Sequence, residues 1–84
     1  MKIKFHKDFI KDMNKYALDL RLKINERVEL FVVNQNHPSL RNHKLHGKYD
    51  GYRNIDITGD LRALYLVEGD IFHFRMLGSH SQLY

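Results

Sequence analysis

The chain has 84 residues, no cysteine, and a net charge of +4 from 14 Lys/Arg and 10 Asp/Glu. This length predicts a single domain over residues 1–84, and the lack of cysteine excludes a disulfide framework and a thiolate zinc site. Residues 1–7 are charged and no segment reaches the roughly 20 apolar residues of a membrane span, so we expect a cytoplasmic protein without a signal peptide or membrane partner.

Positive charge is concentrated in the first part of the chain. Residues 1–48 hold 11 Lys/Arg and 5 Asp/Glu, a net charge of +6, whereas residues 49–84 hold 3 and 5, a net charge of −2. This asymmetry favours an anionic partner, with the first part of the chain supplying the electrostatic attraction. A solvated helix face would show the same pattern, so the charge alone leaves both interpretations open.

One strand and two helices are predicted in the first 40 residues. Lys2–Phe5 alternates polar and apolar residues, as a short strand does. Two runs of apolar residues at steps of three and four then predict two amphipathic helices. The runs are Phe9, Ile10, Met13 and Tyr16, then Ala17, Leu20, Ile24, Val28 and Phe31. We expect a tight turn near residues 14–18, and the second helix to end before Pro38, because the residue before a proline avoids helical angles.

Three further strands are predicted after Gly51. They cover residues 52–57, 61–67 and 71–77. The first two are separated by Thr58-Gly59-Asp60 and the last two by Glu68-Gly69-Asp70. Both are tight-turn sequences, which predict antiparallel hairpins.

Together these elements predict an α+β fold: two N-terminal helices packed on one face of a small, mainly antiparallel four-stranded sheet. Alternation along the last strand places Phe72, Phe74 and Met76 on one face, with His73 and Arg75 on the other. The second face of the sheet would carry arginines and apolar side chains such as Leu64 and Leu66, and is expected to lie open until a partner covers it.

The final residues, 78–84, bring a histidine and an aromatic ring to the end of an apolar strand. A histidine such as His80 can carry a proton in a reaction, and the ring of Tyr84 offers a flat face on which a base can stack. Two more histidines, His43 and His46, lie in a loop rich in cations at residues 40–48. In a basic protein this combination suggests chemistry on a nucleic acid.

Three kinds of site remain open for these residues. The first is a metal site formed by His43, His46 and His80, since transition metals bind imidazole readily, although no H-E-x-x-H cluster accompanies them. The second is acid–base cleavage of RNA, which needs groups that move protons and a cation that stabilises phosphoryl charge. The residues of suitable type for it are His43, His80, Asp60 and Arg62. The third is a binding module in which the histidines only stack or form hydrogen bonds.

Four segments, in order and at matching spacing, resemble the RelE/ParE superfamily of bacterial and archaeal toxins, and most closely its YafQ-like branch. They are residues 37–47 (HPSLRNHKLHG), 51–53 (GYR), 59–65 (GDLRALY) and 78–84 (GSHSQLY). The similarity extends to the two helices and the hairpin lengths, and so covers nearly the whole chain. It implies a toxin with the microbial-ribonuclease-like RelE fold that enters the ribosomal A site and cuts mRNA there. The cut would proceed by attack of the ribose 2′-hydroxyl, without a metal or other cofactor.

The resemblance also implies which residues act. His43 corresponds to the histidine of the family's D-H-x-L-x-G segment, Asp60 to the aspartate that opens the third strand, and His80 to the histidine of the G-[ST]-H tail. Arg62 corresponds to an arginine characteristic of the RelE branch, and Tyr84 takes the place of the terminal aromatic residue. We favour His80 and Asp60 as the proton-transfer pair, with His43 in support. Arg62 would hold the scissile phosphate.

Two departures from the family pattern bear on the site. Asp56 stands where YafQ-like enzymes often have another histidine, and Met76 where some have an arginine. A phosphate-binding cation could then be supplied by Arg62, or by Arg53 and Arg75. The predicted substrate-binding residues are His46, Arg53, Arg75 and Tyr84.

The resemblance implies two kinds of partner, namely a cognate antitoxin that wraps the toxin, and the ribosome with its mRNA. Two alternatives from other functional classes stay open. One is a ParE-type inhibitor of DNA gyrase, which shares the fold but generally lacks these histidines and the G-S-H tail. The other is a degenerate toxin that only binds an antitoxin, as the departures at Asp56 and Met76 would allow.

Overall fold

The computed structural model describes all 84 residues and contains five strands and three α-helices. In chain order these are β1 Lys2–Phe5, α1 Lys7–Met13, α2 Leu18–Val33, β2 His43–Lys44, β3 Arg53–Asp56, β4 Leu61–Glu68, β5 Ile71–Ser79 and α3 His80–Leu83. Two short 3₁₀ turns, Pro38–Leu40 and Gly47–Tyr49, flank β2. None of the helices has the length and apolar character needed to cross a bilayer.

The strands form one five-stranded sheet in the order β1-β5-β4-β3-β2. β1 lies parallel to β5, and the other three pairings are antiparallel. The α+β class and the two hairpins are confirmed, but the prediction of four strands is wrong. The additional strand, β2, pairs only His43 and Lys44 with β3. Two residues are too few to show the alternation by which a strand is recognised in a sequence.

The two predicted helices are present, and the turn between them lies at residues 14–17. α1 begins after His6, whose Nδ1 accepts a hydrogen bond from the backbone N–H of Asp8 at 3.1 Å. The chain leaves α1 through a hydrogen bond from the N–H of Tyr16 to the carbonyl of Met13, and Ala17 is extended (φ −64°, ψ 160°) before α2 starts. Backbone hydrogen bonds therefore make this turn without glycine or proline.

The main core lies between the helices and one face of the sheet, and its centre is aromatic. Phe31 of α2 packs edge-on against Tyr65 and Phe74, with ring centroids 5.0 and 5.5 Å apart. Phe9 of α1 joins them at 5.8 Å from Phe74. Full burial of a large apolar side chain contributes about 1.5–3 kcal/mol, so this cluster is a principal source of stability in a small domain.

An irregularity in β5 overturns the predicted distribution of its side chains. Leu64 pairs with Met76 and the next residue, Tyr65, pairs with Phe74, so that Arg75 has no partner in β4. Such a bulge inserts one residue and reverses the faces beyond it. Phe74 therefore belongs to the main core, whereas Met76 lies against a different cluster, on the other face.

That second cluster corrects the expectation of an open face. Leu64 is fully buried against Leu45 and Leu83, and three partly buried residues complete the cluster: Tyr49, Tyr52 and Met76. The covering residues come from the segment between β2 and β3 and from α3. The protein's own chain therefore covers Leu64, and no partner is needed to do so.

Candidate active site

A cleft of about 250 Å³ opens beside the second cluster, at the end of the sheet where α3 lies. Eight residues line it: Arg41, His43, Leu45, Asn54, Asp56, Arg62, His80 and Tyr84. They come from β2, β3, β4 and α3, and from the residues directly after β2, α3 and the first 3₁₀ turn. The cleft is thus assembled by the sheet register together with the last helix.

The strand register explains how the side chains of β3 and β4 meet. Asn54 and Asp56 are two apart on β3 and share a face. Asp56 is paired with Arg62 of β4, and Arg62 in turn with Gly78 of β5. A Cβ atom at Gly78 would lie 3.2 Å from the side-chain oxygen of Gln82, so glycine leaves room for α3 to fold back over the strand end.

α3 is short but is held at both ends. At its start, Ser79 and Gln82 form a capping box, in which the Ser79 hydroxyl accepts from the Gln82 N–H at 3.2 Å and the Gln82 side chain accepts from the Ser79 N–H at 2.8 Å. The His80 N–H donates to the carbonyl of Asp60 at 3.0 Å. Leu83 is buried in the second cluster. These contacts fix the position of the two functional residues that α3 carries.

The hydrogen bonds of His43 determine which of its nitrogens is free. Nδ1 lies 2.6 Å from the carbonyl oxygen of Arg41. A carbonyl can only accept, so Nδ1 carries the hydrogen and the neutral ring has its lone pair on Nε2. Arg41 itself adopts a left-handed backbone conformation (φ 47°) that ends the preceding 3₁₀ turn. This residue thereby sets the tautomer of His43.

Charge in the cleft is organised around Asp56. Its carboxylate forms a close ion pair with Arg62, lies 3.6 Å from Nε of Arg41, and accepts from the amide of Asn54 at 3.0 Å. Arg62 also donates to the carbonyl of Gly59 at 3.1 Å. The Arg62 side chain is only 15% exposed, whereas that of Arg41 is 75% exposed. One carboxylate therefore faces two guanidinium groups, which leaves the cleft with a surplus of positive charge.

Tyr84 closes one side of the cleft. Its hydroxyl donates to the side-chain oxygen of Asn54 at 3.1 Å, and its ring lies 4.9 Å from that of His80 and 5.6 Å from that of Tyr49. Burial raises the pKa of the Tyr84 phenol above its ordinary value, an effect that the nearby Arg62 opposes. The phenol is neutral near pH 7, and acts as a hydrogen-bond donor and a ring beside His80.

Of the eight residues predicted for the site, four line the cleft: His43, Arg62, His80 and Tyr84. Asp60 does not line it, although its backbone carbonyl positions His80. This geometry favours His43 over Asp60 as the partner of His80.

The other three predicted residues also lie outside the cleft. His46 is exposed and precedes the second 3₁₀ turn. Arg53 donates to the side chain of Asn42 at 3.0 Å, and Arg75 lies in a separate groove against α1. Any contact that these three make with RNA would therefore involve nucleotides away from the cleft.

Sequence reasoning missed three lining residues, the polar Arg41 and Asn54 and the apolar Leu45, and noted Asp56 only as a departure. Asn54 and Asp56 are two residues apart in a predicted strand, and this spacing alone indicates that their side chains share a face. Arg41 gave no signal of its own within a loop rich in cations. Its role depends on a carbonyl and on a backbone angle, which residue type does not reveal.

A metal site of the kind considered from the sequence is not assembled. His43 and His80 both line the cleft, but His46 does not. Nowhere in the structure are three or more His, Cys, Asp or Glu side chains grouped so that they could hold a metal ion.

The chain is similar to a known family of proteins over its whole length. Residues 1–84 match the family described as bacterial toxin of type II toxin–antitoxin system, YafQ. The mRNA interferase toxin YafQ of Escherichia coli strain K12 is 31% identical over 74 residues, which is 88% of this chain and 74% of that protein.

Solved structures show the same fold. A copper-bound mutant toxin from Helicobacter pylori is 31% identical, with a TM-score of 0.77 over 100% of this chain and 99% of that chain. The Escherichia coli DinJ–YafQ complex matches with a TM-score of 0.71 at 20% identity, over 99% of this chain and 97% of that chain. At that lower identity the likeness concerns the fold.

Proposed function

Because this chain belongs to the YafQ family of toxins from type II toxin–antitoxin systems, we propose that it is an endoribonuclease that cuts mRNA in the ribosomal A site. The observation that carries the proposal is the cleft in which His43 and His80 share space with Arg41 and Arg62. Imidazole can move protons near neutral pH, and guanidinium can hold the phosphate. The name of the Escherichia coli relative, an mRNA interferase, supports the same class of substrate.

The reaction that fits this arrangement is an internal transfer at phosphorus. The ribose 2′-oxygen attacks the adjacent phosphorus, a base removes the 2′-hydroxyl proton, and the bond from phosphorus to the 5′-oxygen breaks. An acid donates a proton to that departing oxygen. The products are a 2′,3′-cyclic phosphate and a 5′-hydroxyl, and no water, metal or cofactor takes part in the step.

His43 is suited to the role of base. Its Nδ1–H is committed to the carbonyl of Arg41, so Nε2 presents a lone pair. His80 then serves as the acid, and Asp60 acts through its backbone carbonyl, as a positioning residue for His80. Arg41 and Arg62 stabilise the charge on the phosphoryl oxygens.

Of the four residues predicted to bind the substrate, Tyr84 lines the cleft, and we propose that it contacts the substrate there. Its ring stands beside His80, where a ribose or base can pack against it. Its hydroxyl is held by Asn54, which keeps the ring in one orientation. His46, Arg53 and Arg75 would contact RNA only away from the cut.

The test is cleavage of a defined mRNA in the A site of purified ribosomes. His80→Ala should slow cleavage by about 10²–10⁴-fold, the usual contribution of one acid–base group. His73→Ala is the matched control, since His73 lies on β5 outside the cleft, paired with Glu68 at 3.1 Å. Its rate should stay within about twofold of wild type. Cleavage that persists in His80→Ala within threefold of wild type would rule out the proposed role.

A chemically modified substrate distinguishes the residue that acts as the acid from the residue that acts as the base. If sulfur replaces the 5′-oxygen, the leaving group departs without protonation, because a thiolate is far more stable than an alkoxide. His80→Ala should then recover most of its rate, whereas His43→Ala should not. The reverse pattern would exchange the two roles.

We further propose a cognate antitoxin as the natural partner. The similarity to a toxin seen in complex with another protein supports this, as does the surplus of positive charge in the cleft. Leu64 is covered by the toxin's own chain, so the contact at the cleft would rely on acidic side chains that reach the exposed Arg41. A purified complex in which Arg41 stayed accessible would contradict this.

A second candidate is a degenerate toxin that binds an antitoxin without cutting RNA. The pairing of Arg62 with Asp56 favours it, because a neutralised cation attracts phosphate less strongly. The ribosome assay decides between the two. Intact mRNA together with unchanged DNA supercoiling would support the degenerate toxin, whereas intact mRNA with inhibited gyrase would support the ParE-type alternative.

A further inference from the structure

A second groove, of about 280 Å³, lies beside the cleft and shares two residues with it. Lys23 and Arg27 of α2 form one wall. Arg41 and Asp56 belong both to this groove and to the cleft. The two depressions are therefore continuous across Arg41, whose side chain is 75% exposed between them.

The cations of the second groove are available to an anion. Asp56 is its only acidic residue and is already paired with Arg62. Lys23 forms an ion pair at 3.5 Å with Glu26, an exposed carboxylate of α2 that does not line the groove. Three positively charged side chains thus line the groove, namely Lys23, Arg27 and Arg41. The Asp56 carboxylate among them already has Arg62 as an ionic partner.

One of these cations is held in place before any ligand binds. The guanidinium of Arg27 donates to the Ser39 hydroxyl at 2.8 Å and to the carbonyl of Ile57 at 3.3 Å. These bonds tie α2 to the end of β3 and fix the position of the charge. A cation whose orientation is fixed loses little entropy on binding a phosphate.

A groove elsewhere in the protein lacks these properties. It is larger, about 470 Å³, and is lined by Lys11, Lys15 and Arg75. Two aspartates of α1 lie within it, and one of them, Asp12, pairs with Lys15 at 3.2 Å. This groove therefore contains two carboxylates, whereas the second groove contains one, and it shares no residue with the cleft.

We propose that the second groove binds the phosphodiester backbone of the RNA strand that is being cut, at nucleotides flanking the cut. This rests on the proposed function and extends it. The strand would leave the cleft across Arg41 and run between Lys23 and Arg27. The substrate is then an extended single strand that spans both depressions. The protein's affinity for RNA should therefore increase with the length of the RNA until both depressions are filled.

The test is direct binding of short RNAs that cannot be cut, in the absence of ribosomes. Every 2′-hydroxyl is replaced by 2′-O-methyl, which removes the attacking group. A dinucleotide fills the cleft alone, whereas an octanucleotide reaches the second groove. Wild-type protein should bind the octanucleotide more tightly and with a steeper dependence on salt, because it makes more phosphate contacts.

Lys23→Ala should remove part of that length dependence. One lost phosphate contact lowers the salt slope by about 0.7, which corresponds to about fivefold to tenfold weaker octanucleotide binding at low salt. Dinucleotide binding should not change, and Lys23→Arg should restore the wild-type behaviour. Lys4→Ala is the matched control. Lys4 is an exposed lysine on the edge strand β1, and the strands β5 and β4 separate it from β3.

Two results would overturn the proposal. One is equal binding of the two RNAs by wild-type protein, including the case in which neither binds. The other is a Lys23→Ala variant that binds both RNAs as wild type does but binds ribosomes less tightly, which would assign the groove to ribosomal RNA. Neither result depends on cleavage, so each can be told apart from a failure of the proposed nuclease activity.

Discussion

Asp56 controls the charge of the cleft more than any other single residue. It is 8% exposed and is in contact with Arg62, Arg41 and Asn54. An incoming phosphate would compete with this carboxylate for the same guanidinium groups. Asp56 therefore stabilises the fold and, under the proposed function, would limit the affinity for RNA.

Asp56→Asn should separate these two effects. Loss of the carboxylate leaves Arg62 without its ionic partner in a largely buried position, and we expect the free energy of unfolding to fall by about 2–3 kcal/mol. Affinity for an uncleavable RNA should rise, because both arginines become available. Urea unfolding and fluorescence anisotropy measure the two quantities.

Asp70→Asn provides the control for Asp56→Asn. Asp70 is exposed in the turn between β4 and β5 and forms no ion pair, so its replacement should change stability by less than about 0.5 kcal/mol. If Asp56→Asn bound RNA more weakly than wild type, the carboxylate would have to act on the substrate directly.

At the scale of elements, α3 decides whether the cleft exists in a defined form. It carries His80 and Tyr84 at its two ends, and only Leu83 anchors it in a core. The second cluster therefore connects packing to chemistry. Weakening that anchor should displace both residues together.

Leu83→Ala should lower the free energy of unfolding by about 2 kcal/mol, at the lower end for a buried leucine because a terminal segment can relax. We expect cleavage on ribosomes to slow by about tenfold to a hundredfold, since small displacements of catalytic groups are costly. Leu22→Ala, at a position 58% exposed on α2, should leave both quantities close to wild type. An unchanged cleavage rate in Leu83→Ala would mean that α3 is positioned by its capping box alone.

The elements that could be predicted are those with a repeating pattern. The two helices and both hairpins followed from apolar spacing and turn residues. Four of the residues that line the cleft were named from their chemical type and from the family resemblance. β2 and α3 have two and four residues, too few for any period to appear. The bulge at Arg75 also escaped prediction, because an unpaired residue is defined by its neighbouring strand, and a single strand read alone does not show it.

At the scale of the whole molecule, buried phenols make stability depend on alkaline pH. Burial raises the pKa of Tyr65 above its ordinary value of 10.0, although the hydrogen bond with Asn42 and the charge of Arg53 oppose the shift. Burial likewise raises the pKa of Tyr16 and Tyr84. Above pH 10 the unfolded chain loses these protons more readily than the folded one, so ionisation favours unfolding.

The free energy of unfolding should therefore be insensitive to these tyrosines below about pH 10 and should fall as the pH rises through their higher folded-state pKa values. Tyr65→Phe should make that decline shallower, as urea unfolding across an alkaline series would show. Tyr52→Phe retains Tyr65 and should keep the wild-type slope. An equally steep decline in Tyr65→Phe would assign the effect to other groups.

The parallel pairing of β1 with β5 has a consequence for biosynthesis. Lys2 pairs with Ile71 and Phe5 with Phe74. β1 is therefore synthesised long before β5, the strand with which it pairs. Contacts between such distant parts of a chain form late in folding. His80 and Tyr84 are made later still. The cleft, which needs α3 as well as β2, β3 and β4, can therefore be complete only after residues 71–84 have emerged from the ribosome, and so it forms after most of this domain has been synthesised.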